Sequence, residues 1–556
     1  MAEATQNTGK TRTAAFERDR FSKTFRNLLL IGSLCLLLLG GVGFMYLRAK
    51  SPLTLFAGSR RPIAAATAFI PKKSPFAFSL LTNPTELINL QQALVRPEWR
   101  SQARDEIRQI EQNLLSATGL SFERDIPPWL GAELTFACID SDLDHDLSNG
   151  KQPGYLLALE IAPDQLPLAT SFLQLLWQQR ALAGNSADIQ QVSGIRILSS
   201  RASGITTASA LVSEQFVMFA NDVDVLRQSF QSAQTAQNLA QSADDRRQVE
   251  SLPAERIGLA YFDSQLLSES LSAQTKFMSS KFVAMSLGLT RNGLILNTGS
   301  NAGGSLKAAA RSSVARSLLQ YLPIANELAI FGEDFSQLPS AGGVAALITD
   351  SITLDRASDS WLAFLRSRFR SGQTMWSDAN YALARLGSRR ASDWLLAIER
   401  SAALINELDS AAEAAGYSVV PVEIGDESAT AWTRFKTSAG RQVGSGLETE
   451  VLGLHLQQGD VEILANSLSA MKTALSAPQN SLLDSSRFKQ ATDALLENRD
   501  TVVFTDWSAI SAEISRNFPV VNQIQSMIRP WISHSGAIAA NFDQDGADIF
   551  IQLSED

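Results

Sequence analysis

Asp and Glu, 57 in all, are the abundant side chains of this chain that could do acid–base chemistry. The run "DSDLDHD", Asp140 to Asp146, places four aspartates in seven positions and invites a calcium reading. An EF-hand loop starting at Asp140 needs Gly at its sixth position and Glu at its twelfth. His145 and Lys151 stand there instead, so the run is expected to be the solvated tip of a loop, with weak divalent binding left open. His145, His455 and His534 are the only histidines, and none has a second histidine or a cysteine at ligand spacing. Histidine-dependent acid–base catalysis is therefore not expected.

The chain lacks G-x-S-x-G, G-x-x-x-x-G-K-[ST], G-x-G-x-x-G and H-E-x-x-H, and "SSKF" at Ser279–Phe282 lacks the context of an acyl-transfer serine. Asp263 and Asp506, each following a strand, read as caps of the next helix. No catalytic residue, cofactor or metal site is assigned. Of the two cysteines, Cys35 lies in an apolar segment, so a disulfide with Cys138 is not expected and a cysteine zinc site is excluded. A net charge of −9 argues against nucleic acid as a partner, because neutralising phosphates needs a basic face.

These residues need elements to hold them, and the clearest sits at the N-terminus. Leu28–Leu47, "LLLIGSLCLLLLGGVGFMYL", carries no charge over twenty residues. As a helix it spans roughly 30 Å, the thickness of a bilayer core. Apolar residues continue past Gly41–Gly43, which suits an uncleaved anchor better than a signal peptide. Leu34 before Cys35 is too bulky for lipoprotein processing. Lys10, Arg12, Arg18, Arg20, Lys23 and Arg26 precede the segment and Arg48, Lys50, Arg60 and Arg61 follow it, a slight bias toward a cytoplasmic N-terminus. Residues 1–27 then form a disordered basic tail and 28–47 a transmembrane helix that meets the lipid bilayer. The remainder is expected in a periplasm or a thylakoid lumen.

The rest of the chain repeats itself. "YLLALE" at Tyr155 is echoed by "WLLAIE" at Trp394, "FAN" at Phe219 by "LAN" at Leu464, and "YFDSQLL" at Tyr261 by "FTDWSAI" at Phe504. The pair Asn292-Gly293 is echoed by Asp545-Gly546, and such pairs suit type I′ hairpins. After the first motif, Leu168, Phe172, Leu175 and Leu176 describe an amphipathic helix stopped by Gly184. After its echo, Leu404, Leu408, Ala411 and Ala412 do the same before Gly416. Further helices are expected around Ile107, Ile110 and Leu114 and around Trp361–Leu386. The expected fold is α+β: a transmembrane helix, then two related domains with largely antiparallel sheets at 60–298 and 315–556, joined by the small, polar linker 299–314.

The least ordinary stretch is "DIPPWLGAELTFACID", residues 125–140. Pro127 and Pro128 stop any helix, Trp129 and Leu130 offer large apolar surface, and Gly131 permits backbone that a side chain would forbid. Beyond it Leu134, Phe136 and Cys138 alternate with Glu133, Thr135 and Ala137 as in a half-buried strand, paired through a long loop with Tyr155–Ile161. Trp129 is expected to be a buried anchor, with an exposed interface hot spot as the alternative.

Asp125, Pro128, Trp129, Leu130 and Gly131 are similar to the D-x-x-PWLG signature of a bacterial family known only as a domain of unknown function and frequent in cyanobacteria. The resemblance implies one N-terminal membrane helix with a large extracytoplasmic part, and no established reaction. No PWLG stands near residues 375–390 in the second copy. The expected function is that of a membrane-anchored, non-enzymatic protein whose extracytoplasmic part binds a protein partner in assembly or maintenance of membrane complexes. The alternatives are an extracytoplasmic carboxylate-dependent hydrolase and a two-lobed solute-binding receptor.

Overall fold

A computed structural model describes residues 55, 58–59, 61, 63–86, 125–146, 148, 150, 152–202, 205–263, 282–290, 292–298, 317–333, 361, 364–365, 379–387, 393–438, 446–495, 501–509, 536–542 and 547–552. The apolar span Leu28–Leu47, the helix expected around Ile107–Leu114 and the linker 299–314 lie outside these residues. Among the described residues no helix is long and apolar enough to cross a membrane.

Among the described residues the first half supplies ten strands: β1 (Phe76–Leu80), β2 (Leu130–Asp140), β3 (Gly154–Ile161), β4 (Asp188–Val192), β5 (Ile195–Ala202), β6 (Ile205–Val212), β7 (Phe216–Ala220), β8 (Gly258–Asp263), β9 (Phe282–Leu289) and β10 (Gly293–Thr298). The second supplies β11 (Leu328–Gly332), β12 (Tyr381–Leu386), β13 (Asp393–Glu399), β14 (Ser418–Ile424), β15 (Glu427–Ser438), β16 (Gly446–Gln458), β17 (Val461–Ala465), β18 (Thr501–Asp506), β19 (Ala537–Phe542) and β20 (Ala547–Gln552). Every pairing among them is antiparallel, so the fold is α+β as the hairpin-rich sequence implies.

In space the first half runs β4-β5-β6-β7-β3-β2-β1-β8-β9-β10. The second runs β14-β15-β16-β17-β13-β12-β11-β18-β19-β20, the same path strand for strand. β10 pairs with β20, so one sheet passes through both halves without a break.

The sequence echoes coincide with this correspondence. "YLLALE" is β3 and "WLLAIE" is β13, each flanked by the strand that carries its Asn. Tyr155 N–H donates to Asn221 Oδ1 (2.7 Å), and Trp394 N–H donates to Asn466 Oδ1 (2.8 Å). The repeated Asn thus closes the same backbone gap twice, which gives the repeat a physical reason.

Helices cover both faces. α1 (Leu166–Leu182) follows β3, and its Phe172 and Leu176 pack with Trp129, Leu159 and Val217. α4 (Ala402–Ala414) follows β13, and its Leu404 and Leu408 pack with Trp361, Trp394 and Trp432. On the other face lie α2 (Val223–Thr235) and α3 (Ala243–Ser251) in the first half, and α5 (Leu468–Ser476) and α6 (Ser486–Asp493) in the second. Gly184 and Gly416 follow α1 and α4 with φ of +81° and +83°, a left-handed geometry that costs glycine least.

Four expectations need correction. Of the four leucine and phenylalanine positions expected on one face of α1, only Phe172 and Leu176 are buried; Leu168 and Leu175 are exposed, and Ala169 and Trp177 complete the inner face. Tyr381–Leu386 is not helical but the fully buried strand β12, whose apolar run reflects burial on both faces. Gly293 lies in β10, not in the turn, where an added Cβ would sit 2.2 Å from the Ile551 carbonyl oxygen. Close approach of β20, not a type I′ turn, is what requires that glycine; Asp545-Gly546 lies outside the described residues. In β2 the polar series Glu133, Thr135 and Ala137 is the buried one, while Leu134 and Phe136 are half-exposed.

Candidate functional site

Two prolines and a buried indole set the direction of β2. Trp129 and Leu130 N–H both donate to the Ile126 carbonyl (3.2 Å each), and Ala162 N–H donates to the Trp129 carbonyl (2.8 Å). The Trp129 ring is 1% exposed and lies 5.1 Å from the Phe172 ring of α1. Its Nε1–H donates to the Asp125 carbonyl oxygen at 2.9 Å, which satisfies the one polar atom of the indole. Leu130 is buried beside it, Asp125 is half-buried and Pro128 is exposed. This burial supports the anchor reading of Trp129 over the exposed hot spot.

Below the corner the β2–β3 register shifts between Leu130 and Leu134. Such a bulge takes backbone N–H groups out of the ladder. The Glu160 carboxylate of β3 collects two of them: Ala132 and Glu133 N–H both donate to Oε2 at 3.0 Å. Gly131 is needed here, because a Cβ would lie 2.9 Å from Glu160 Oε2 and 3.1 Å from the Glu160 carbonyl oxygen.

Glu133, fully buried, points the other way and caps the 3-10 turn Ala65–Phe69, accepting from Ala66 N–H at Oε1 and Ala65 N–H at Oε2 (2.8 Å each). Thr135 Oγ1 lies 3.3 Å from Glu133 Oε1 and donates to Ser79 Oγ at 2.8 Å. Arg61, partly exposed, bridges both acids, with Nη2 2.8 Å from Glu160 Oε1 and Nη1 3.4 Å from Glu133 Oε2. Burial raises the Glu133 pKa and the neighbouring Glu160 adds to it, against the opposing pull of the Ala66 and Ala65 N–H groups and Arg61. Arg61 is raised in turn, chiefly by its hydrogen bond to Glu160.

Every oxygen of the pair thus meets a backbone N–H or Arg61. The arrangement pins the bulge, the 3-10 turn and β3 together. In the second half Glu399 stands for Glu160, and Asn380 N–H lies 3.4 Å from its Oε2. Asn380 itself replaces Glu133, so of these two ranks only that of Glu160 keeps its acid in the second half. Counting back from Tyr381, the counterpart of Leu134, places Trp376 at the rank of Trp129, outside the described residues.

The second half has a different polar cluster that residue spacing did not reveal. His455 Nδ1 lies 2.7 Å from Glu462 Oε1, and its Nε2 lies 3.2 Å from Asp409 Oδ1, off the line of a hydrogen bond. Asp409 also accepts from Trp432 Nε1–H at 2.8 Å, and Arg400 lies 3.9 Å from Glu462. The rank of His455 in the first half is held by Ser209, which accepts from Trp177 Nε1–H at 2.9 Å. Both sites tie the covering helix to the sheet.

The aspartates of 140–146 bond their own loop. Asp140 accepts from Asp142 N–H (3.0 Å), Asp142 from Gln152 N–H (3.0 Å), and Asp144 from Asp146 N–H (3.1 Å). Among the described residues no three His, Cys, Asp or Glu side chains are placed to hold a metal. Asp506 accepts from Arg487 Nη2 at 2.6 Å. Burial, with the charge of Asp140, pushes the Cys138 thiol up to about 12, so it stays protonated.

A family model described as "Protein of unknown function (DUF3352)" matches residues 29–548. No curated protein matches. Two solved structures, "Structure of crystal form I of TP0453" and "Structure of crystal form III of TP0453", share 8% and 9% identity over 46% of this chain and 86% and 88% of theirs. Their TM-scores of 0.25 and 0.24 are too low to carry an argument.

Proposed function

The chain belongs to the DUF3352 family, and we propose that it is a membrane-tethered, non-enzymatic protein that presents its long second-half hairpin to a protein partner. Leu28–Leu47 would hold it in a plasma or thylakoid membrane, N-terminus cytoplasmic, with the sheet in the periplasm or lumen. The observation that carries the reading is Phe435, 74% exposed on β15.

The hairpin β5–β6 has eight-residue strands, whereas β15 and β16 run for 12 and 13 residues. β14 pairs with β15 only as far as Thr433, so Arg434–Ser438 pairs with β16 alone. On that extension Phe435 opposes Thr449 and Val451 opposes Thr433, which places Phe435 and the 43%-exposed Val451 diagonally on one face. On the opposite face Arg434 pairs with Glu450 and lies 4.5 Å over the Tyr417 ring. An exposed aromatic on a braced, projecting hairpin is the composition of an interface centre. The hydrolase and solute-receptor readings gain no comparable support, because Glu133 and Glu160 are engaged internally.

The test is affinity isolation of the tagged full-length protein from solubilised membranes, beside Phe435→Ser. A partner present with the wild type and lost with Phe435→Ser, at an unchanged melting temperature, is the expected result. Retention of the same partner by Phe435→Ser, or no stoichiometric partner even after cross-linking, rejects the reading.

A further inference from the structure

The two halves share one topology, so each surface position has an internal comparison. The sharpest contrast lies on the outer face of α1. Leu168, Leu175 and Leu182 are 45%, 43% and 89% exposed and recur every seven residues. At 3.6 residues per turn this spacing keeps them on one stripe. The only charged residue of α1, Arg180, is turned inward, its Nη1 2.9 Å from Ser200 Oγ and its Nη2 3.3 Å from Thr207 Oγ1. The exposed positions, Pro167, Leu168, Ser171, Gln174, Leu175, Gln178, Ala181 and Leu182, therefore carry no charge. At the matching place α4 exposes Ala402, Ala403, Asn406, Ser410, Glu413 and Ala414, and no large apolar side chain.

We infer that the outer face of α1 is the contact between two copies of this chain, with their α1 helices antiparallel and Leu175 on the twofold axis. The stripe is symmetric about Leu175, so an antiparallel mate sets Leu168 against Leu182 at both ends. A face that meets its own copy must avoid like charges, and in a chain of net charge −9 this one does. An isologous contact needs this self-complementarity; a foreign helix or a lipid surface does not. The inference is independent of the partner site on β15–β16.

The geometry predicts a cross-linking pattern. Full-length protein carrying Cys35→Ser, which leaves only the buried Cys138, is oxidised in its membrane with copper–phenanthroline. Leu175→Cys should form a disulfide-linked dimer. Leu168→Cys alone should not, while Leu168→Cys with Leu182→Cys in one chain should. In detergent, Leu175→Glu should halve the mass seen by light scattering and leave the melting temperature unchanged, since Leu175 is already partly exposed. The inference is overturned if Leu175→Cys stays monomeric, if Leu168→Cys alone links as readily as Leu175→Cys, if Leu175→Cys links to a different protein, or if Leu175→Glu keeps the dimer mass.

Discussion

Asn297 and Asp548 meet on the axis that relates the two halves: Asn297 Nδ2–H donates to Asp548 Oδ1 at 2.7 Å. They are direct partners in the β10–β20 register, and each holds the rank of the other in its own half. The ladder continues symmetrically, with Ser286 opposite Asn297 and Asn541 opposite Asp548. All four side chains are at most 3% exposed. A row of buried polar groups pays off only in one register, because slipping β10 along β20 would leave them facing apolar neighbours. The amide–carboxylate pair also breaks the symmetry usefully: two aspartates here would repel.

Asn297→Ala should therefore cost about 1–3 kcal/mol, the range for removing one charge-assisted hydrogen bond from a buried site. Equilibrium urea unfolding measures it. A midpoint within error of the wild type would show that the row contributes nothing to joining the halves.

Glu133 gives a pH dependence of definite sign. Burial raises its pKa above the ordinary value of 4.5, so the folded protein holds the proton to higher pH than the unfolded chain does. The native state then binds more protons in that window, and stability falls as pH rises from the ordinary glutamate range through the raised value. Glu133→Gln should flatten this slope, although it also loses an acceptor for Ala65 or Ala66 and is less stable at low pH. Urea midpoints across the acid range check this; identical slopes for both proteins contradict it.

Which parts of this could be read from sequence depends on distance along the chain. β3, β13 and the helix after β13 announce themselves by local periodicity and a closing glycine; the helix after β3 is equally legible, but its buried face is not, since Leu168 and Leu175 are exposed and Ala169 and Trp177 are buried. Asn221 and Asn466 were visible as a repeat, but their bond to the start of β3 and β13 was not, because it joins residues 66 and 72 apart. The alternation around Glu133 shows a half-buried strand but not that the Glu133 face is the buried one, since its partners come from the turn at Ala65–Ala66 and from Arg61, 72 residues away. His455 and Glu462 flank one tight turn and become neighbours only when the β16–β17 register is known. Asp409 reaches them from α4.

The membrane segment has its own test. If Leu28–Leu47 is an uncleaved anchor, alkaline carbonate and high salt should leave the protein in the membrane pellet, and a chain beginning at Ser51 should stay in the supernatant. Release of the full-length chain by salt alone contradicts the anchor.

Trp129 tests the corner itself. Its ring fills the space between β2, β3 and Phe172, and its Nε1–H is bonded, so two substitutions separate its contributions. Trp129→Ala opens a cavity under α1 and should cost about 3–5 kcal/mol, seen as a lower melting temperature. Trp129→Phe keeps most of the apolar contact but loses the bond to the Asp125 carbonyl, and should cost less than half as much. Partner recovery in the affinity isolation should follow stability in both variants, because the indole touches no surface. A Trp129→Ala protein that melts like the wild type yet loses its partner would turn this corner from scaffold into contact site.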